Sequence, residues 1–274
     1  ARKAYLGYTK KRKHTIRETR AQIRGDLQYI RRDIGYIQKM VDSGAPLEAL
    51  GADLYRKLLV IQELTRQQWE MYNDKKHTVE DRIVSIAQPH IRPIVRGKAG
   101  VPVEFGAKVT VGLVGGYAFL MKAEWNNYAE SSCLKEAVEE YQRTFGFYPK
   151  TILADRAYPS RDNKRWCASV GIRLSGPRLG RKSDAEKAEE TKQIYRDGCE
   201  RVAIEGEFGV VKRRYTLDHV MTKLPDTSMT SISMGFFTAN MERKLRLLFA
   251  PDSNWAVKYD FFIGDIVLFQ RCTD

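Results

Sequence analysis

Cysteine is scarce in this chain, and long apolar runs are missing. The four cysteines, Cys133, Cys167, Cys199 and Cys272, stand far apart without C-x-x-C or Cys/His ligand spacing, which argues against a disulfide framework and a zinc site. No apolar stretch approaches the roughly 18 residues of a membrane span, and the basic start is not followed by the apolar core of a signal peptide. A soluble, cytoplasmic protein is expected. The four histidines, His14, His77, His90 and His219, show no paired ligand spacing and read as surface or packing residues. There is no internal repeat. The chain opens on Ala1 rather than Met, which fits processing or a piece of something longer.

What is present is a globular composition with a basic excess. The 274 residues are 43% hydrophobic and 30% charged, enough for the core of one or two domains. Lys and Arg number 47 against 34 Asp and Glu, a net charge of +13 that points to a polyanionic partner, nucleic acid or acidic lipid. Residues 1–40 hold twelve Lys or Arg against three acids, and so supply nine of the thirteen net charges. The remainder reads as mildly basic.

Apolar residues Ile16, Ile23, Leu27, Ile30, Ile34, Ile37 and Val41 recur at helical spacing, predicting a long helix over 15–41. Residues 42–46, with Gly44 and Pro46, break it, and Leu54, Leu58, Ile61 and Leu64 begin a second helix running to about Tyr72. The two form a helical hairpin with a basic outer surface. Residues 78–105 contain Pro89, Pro93 and Pro102 and read as a connector or surface loop. Strands over 107–114 and 117–125 flank Gly115-Gly116 as a β-hairpin. A helix over 131–145 ends at Gly146, a short strand over 151–154 ends at Asp155, and Ser160 caps a helix to about Val170. A strand over 172–174 precedes helices over 183–214, with a break near Gly198, and 230–249. The order implies a mixed sheet covered by helices. The tail after Phe249 is aromatic and aperiodic, either an extra strand or sequence unrelated to the rest.

Asp155 closes a short apolar strand, where α/β proteins gather their sites, although an aspartate there also serves as a turn former or helix cap. Arg201, Glu205 and Lys212 stand at offsets of four and seven, so all three project from one helix face. A solvated ion pair looks the same. Val202, Ile204, Phe208 and Val211 imply that this helix packs on the sheet, which borders the charged stripe on the sheet edge. A helix-borne Glu and a strand-end Asp could then share divalent ions for phosphoryl transfer, with nearby cations holding phosphates.

The string Ala154-Asp155-Arg156-Ala157-Tyr158, followed by Arg201-x3-Glu205-x6-Lys212, closely resembles the second Asp and the R-E-K signature of insertion-sequence DDE transposases. The resemblance extends through residues 82–108, 172–181, 204–215 and the final helix. It implies an α/β fold with a ribonuclease-H-like mixed sheet flanked by helices and an N-terminal basic helical hairpin, with a strand hairpin over 106–126. Asp155 and Glu205 would be the second and third metal ligands, with Arg201 and Lys212 orienting DNA near the cleavage site. The implied cofactor is a pair of Mg²⁺ ions, with Mn²⁺ as the alternative. The implied partner is double-stranded DNA at element ends and target, with a homodimer on DNA, no membrane, and a nucleoid-associated location in a prokaryotic cytoplasm. The expected organisation is a helical hairpin insertion over 1–77, a catalytic core over 78–249 and an atypical tail over 250–274. Phosphate contacts are expected from Lys10, Lys11, Arg12, Lys13 and Arg17 on the hairpin, from Arg92, Arg96 and Lys98 in the proline-bearing stretch, and from Arg213 and Arg214.

Three departures accompany the resemblance. The family's Tyr three residues before the Arg is replaced by Gly198, with Tyr195 one turn earlier. The first catalytic Asp belongs on an apolar strand ahead of the helical insertion, and neither Asp81, Asp74 nor Asp53 sits in such a strand. The tail from Pro251 differs from the family's ending. A truncated copy, inactive by itself, is therefore expected. The competing readings are a catalytically inactive DNA-binding remnant and a metal-dependent nuclease of the same fold.

Overall fold

The computed structural model describes residues 2–95, 103–249 and 261–269. They divide between two units, one spanning residues 1–90 and the other 91–273. Arg96, Lys98 and Pro102 lie outside the described residues, as do the tail positions 250–260 and 270–274.

The first unit is helical: α1 (Arg2–Thr9), α2 (Ile16–Asp42) and α3 (Gly51–Asp74), with a 3₁₀ turn at Leu47–Leu50. Helix α2 starts where a capping box closes. The Thr15 side chain accepts from the Glu18 amide, and the Glu18 carboxylate accepts from the Thr15 amide at 3.0 Å. Lys11 Nζ donates to the same carboxylate at 2.6 Å and, with Thr15, holds its pKa at about 2 instead of the ordinary 4.5. A carboxyl lowered on folding stabilises above its unfolded value and loses that effect as pH falls toward its folded one. The cap should thus be complete above pH 4.5 and dissolve between 4.5 and about 2. NMR titration of Glu18 reads this, and a midpoint at the ordinary value would show that Lys11 does not hold it in solution.

Helices α2 and α3 pack on each other, and their buried apolar side chains are Leu27 and Met71. Arg20 adds a polar clasp, donating to the Tyr72 carbonyl at 3.0 Å while its guanidinium lies 4.3 Å above the Tyr72 ring. Beyond α3, the buried Gln67 amide pins the returning chain: its Nε2 donates to the Asp81 carbonyl and its Oε1 accepts from the Ile83 amide.

The second unit is built on a mixed sheet. Its strands are β1 (Arg92–Val95), β2 (Val103–Val114), β3 (Tyr117–Glu124), β4 (Thr151–Ala154), β5 (Arg173–Leu174) and β6 (Phe261–Phe269). The order is β1-β2-β6-β4-β5, with β3 also pairing β2. Strand β6, the extra strand of the tail, takes the central slot, antiparallel to β2 and parallel to β4. The helices are α4 (Glu130–Phe145), α5 (Arg161–Ser169), α6 (Asp184–Arg214) and α7 (Pro225–Phe249). The fold is α/β and consistent with the ribonuclease-H-like class.

Two expectations are corrected here. The proline-bearing stretch is not only a connector, because Arg92–Val95 pairs with β2 and both Ile91 and Ile94 are fully buried. Pro93 is tolerated because β1 is an edge strand, where a missing amide leaves no ladder bond unmade. The break near Gly198 does not occur, and α6 is one helix of 31 residues.

Strand β2 is covered on both faces, which explains its almost continuous burial. On one face Ala107, Val109, Val111 and Leu113 pack with Ile204 and Val211 of α6 and Ile232 and Phe236 of α7. On the other, Val114 joins a cluster with Leu134, Val138 and Tyr141 of α4, Ile152 and Tyr158. Gly115 and Gly116 adopt φ of 57° and 81°, the positive values that a two-residue hairpin of type I′ needs. Helix α7 sits close to the chain leaving α6. A Cβ at Gly235 would come within 2.8 Å of Leu217, itself 1% exposed. Gly235→Ala should therefore lower stability by about 1–2 kcal/mol, because overpacking outweighs alanine's helix preference. Denaturant unfolding measures it, and an unchanged or raised midpoint would contradict the tight approach. No helix among the described residues is long and apolar enough to cross a membrane.

Candidate active site at the carboxyl edge of the sheet

Strands β4 and β5 are parallel, with Thr151 opposite Arg173 and Ile152 opposite Leu174, so the loops that follow both leave from one edge. Asp155 is the first residue beyond β4. Its carboxylate accepts from the Arg156 amide at 2.7 Å, and its carbonyl accepts from the Tyr158 amide at 3.0 Å, closing a tight turn. The turn is anchored below by Tyr158, whose fully buried hydroxyl reaches Thr110 at 3.5 Å. The sister loop is tied to the same point. Ser175 Oγ accepts from the Ala154 amide at 2.9 Å and donates to the Ala154 carbonyl at 3.2 Å.

Helix α6 brings the other charged groups. Arg173 of β5 grips Asp197 through two parallel hydrogen bonds of 2.8 and 2.9 Å, and Gln193 donates to the same carboxylate at 2.8 Å. Asp197 is almost buried, so this pair locks α6 against the sheet edge. One and two turns further along the same face come Arg201 and Glu205. Arg201 Nη1 lies 2.9 Å from Glu205 Oε1 and 3.9 Å from Asp155 Oδ1. Both distances run to one nitrogen, so the two carboxylate oxygens can be no farther apart than the distances together, about 7 Å. Both carboxylates are more than half exposed.

Arg201 thus lies beside both Asp155 and Glu205. Residues 152–242, about a third of the chain, match the family model described as the transposase DDE domain. Over these residues the chain is similar to that domain. No curated protein and no solved structure matches the chain.

The matched stretch begins inside β4 and ends in α7, so it spans Asp155, Arg201, Glu205 and Lys212. Lys212 lies two turns beyond Glu205, half-buried. Val202, expected to pack on the sheet, is 58% exposed, while Ile204 and Val211 carry the contact. Of the remaining cations, Arg213 is exposed and donates to the Gly209 carbonyl, and Arg214 pairs with Glu242 of α7 at 2.6 Å. Arg92 lies on edge strand β1, its guanidinium donating to the Ile91 carbonyl. Lys10, Lys11, Arg12, Lys13 and Arg17 are exposed on the first unit, Lys11 paired with Glu18. Arg17 lines, with Arg24 and Tyr72, an open hollow of about 920 Å³.

DDE transposases use divalent metal ions, and the donors can be tested for fit. Asp155 and Glu205 offer hard, exposed carboxylate oxygens, one from each lying no more than about 7 Å apart. A magnesium-like cation is commonly held by one or two carboxylates, with water and substrate phosphate completing its shell. The pair fits that mode. Among the described residues no group of three His, Cys, Asp or Glu is placed to hold a metal. Strand β6 carries one acid, Asp265, in register with Thr110 of β2.

Sequence reasoning missed Arg173, Asp197 and Ser175. Their pairing spans 21 to 24 residues and no local pattern announces it.

Proposed function

We propose that this domain acts on DNA by metal-assisted phosphoryl transfer, cleaving a strand at the end of an insertion sequence and joining the freed end to target DNA. The observation that carries the reading is a single guanidinium reaching both Asp155 and Glu205 at the edge where β4 ends. In the first step a water oxygen bonds to phosphorus and the bond to the 3′-oxygen breaks, leaving a 3′-hydroxyl and a 5′-phosphate. In the second, that hydroxyl attacks a target phosphodiester and displaces its 3′-oxygen. Mg²⁺, when bound, supplies Lewis-acid stabilisation of the phosphoryl charge.

The chain's own residues position and neutralise. Asp155 and Glu205 hold the cation side of the site. Arg201 offers N–H donors to a non-bridging phosphate oxygen, exchanging a carboxylate partner for the substrate. Lys212, further along the same helix face, engages the DNA backbone. The basic surface of the first unit supplies further phosphate contacts.

A second reading, a DNA-binding remnant without cleavage, draws on the two carboxylates standing without a third among the residues whose side chains are described. Incubating supercoiled plasmid with Mg²⁺ or Mn²⁺ separates the two. Nicking by the wild type that falls to background in Glu205→Gln supports phosphoryl transfer. Salt-sensitive DNA binding with no nicking at any metal concentration supports the remnant.

A further inference from the structure

The N-terminal forty residues are not the only basic concentration. Residues 150–182 hold nine Lys or Arg (Lys150, Arg156, Arg161, Lys164, Arg165, Arg173, Arg178, Arg181 and Lys182) against two acids, Asp155 and Asp162. Several of these charges are already engaged. Arg173 is held by Asp197, Arg165 lies 3.7 Å from Asp162, and Lys182 pairs with Glu190 at 2.5 Å. Lys164 donates to the Pro177 carbonyl, and Lys150 lies at the opposite end of β4. What remains is Arg156, Arg161, Arg178 and Arg181, all exposed, and none with an ion pair among the described residues.

Their placement follows from the topology. Arg156 and Arg161 belong to the segment leaving β4, Arg178 and Arg181 to the segment leaving β5, and those parallel strands open onto one edge. Asp155 stands on that edge. Ser175 staples the two segments together at Ala154, the residue before Asp155. The second segment is held firmly as well: the Arg178 amide donates to Glu190 at 2.7 Å, and Lys182 clamps the same carboxylate. Lys182 first, and the Arg178 amide second, keep the Glu190 carboxyl below the usual range, so this tie is charged at neutral pH. The backbone is fixed while the two guanidinia stay free, which lowers the entropy lost on binding a ligand. Nearby Glu186 and Glu190 feel the Arg178 charge without forming an ion pair with its guanidinium.

We infer that Arg156, Arg161, Arg178 and Arg181 form a second contact surface for duplex DNA, gripping backbone phosphates on both sides of Asp155. Guanidinium groups suit this task because their fork matches two phosphate oxygens at once. The surface belongs to the matched stretch and is separate in sequence from the basic helices of the first unit. The inference rests on the DNA-acting reading above and deepens it by naming the groups that hold the strand beside the carboxylates.

The test is fluorescence anisotropy of the chain with a labelled duplex of arbitrary sequence between 50 and 200 mM KCl. Removing two phosphate contacts should lower the slope of log K against log salt by about 1.8. That drop is expected for Arg156→Gln/Arg161→Gln and again for Arg178→Gln/Arg181→Gln, at unchanged thermal midpoints because all four side chains are exposed. Arg178→Lys/Arg181→Lys should recover most of the slope, since a point charge still displaces counterions. Wild-type binding whose slope is unaffected by both Gln pairs overturns this inference and leaves the DNA-acting reading standing. A wild type that binds no duplex even at 50 mM KCl overturns both.

Discussion

Replacing Arg173 with Met is expected to cost about 3 kcal/mol of stability, toward the lower end for removing one partner of a buried pair. Asp197 is 5% exposed, and among the described residues it would keep only the Gln193 amide as a side-chain donor. The lower end applies because Arg173 itself is 40% exposed, so the pair is not fully desolvated. In a unit of this size the thermal midpoint should fall by about 6–12 °C. Removing the stranded carboxylate as well, in Arg173→Met/Asp197→Leu, should recover most of that loss, because the larger part of the penalty is the unpaired charge. A single variant losing less than about 1 kcal/mol would show that Asp197 is not shielded as the geometry indicates.

Replacing Lys10, Arg12, Lys13 and Arg17 together with Ala should change DNA binding more than any other surface substitution. Four neutralised phosphates contribute about 3.6 to the slope of log K against log salt, which over a fourfold rise in salt is roughly a hundredfold in affinity. The variant should lose that share of the salt dependence and bind specific and arbitrary duplexes more weakly by the same factor. Lys11 is left out because Glu18 already neutralises it at 2.6 Å, so Lys11→Ala should alter the slope little. Arg20 is left out because it clasps Tyr72 and serves the hairpin itself. Titrations at 50 and 200 mM KCl decide the point, and a fourfold variant with the wild-type slope would remove this surface from the DNA path.

The elements read correctly from the chain are those whose information is local. Helix α2 begins at Thr15 because its capping partner lies three residues away, and β2 turns into β3 because Gly115 and Gly116 accept positive φ. Helices α4 and α5 likewise carry their own stops and caps in Gly146 and Ser160. The elements read wrongly depend on distant partners. Gly198 costs a helix about 1 kcal/mol against alanine, a local penalty overridden where α6 is anchored by Arg173 and by Ile204 and Val211 in the core. Strand β1 was hidden by Pro93, which only an edge position permits. The aperiodic aromatic tail left an extra strand and unrelated sequence both open, because its slot between β2 and β4 is set by pairing across more than a hundred residues.

The candidate site follows the same division. Arg201, Glu205 and Lys212 share a face by helical arithmetic, so their relation was visible at once. That Asp155 comes beside Arg201 depends on β4 and α6 meeting, which the resemblance implied and which the pairing of Arg173 with Asp197 supports. The exposed arginines flanking Asp155 went unnoticed because their significance lies in which neighbours are already paired.

The central claim is that Asp155 and Glu205 share a divalent ion, with Arg201 set to exchange them for phosphate. Mn²⁺ titration of the chain, followed by electron paramagnetic resonance without DNA, tests it most directly. The account predicts Mn²⁺ uptake by the wild type, at least about tenfold weaker uptake by Asp155→Asn and by Glu205→Gln, and tighter uptake by Arg201→Gln, which removes a competing charge. Equal Mn²⁺ affinity in all four proteins would contradict the assignment.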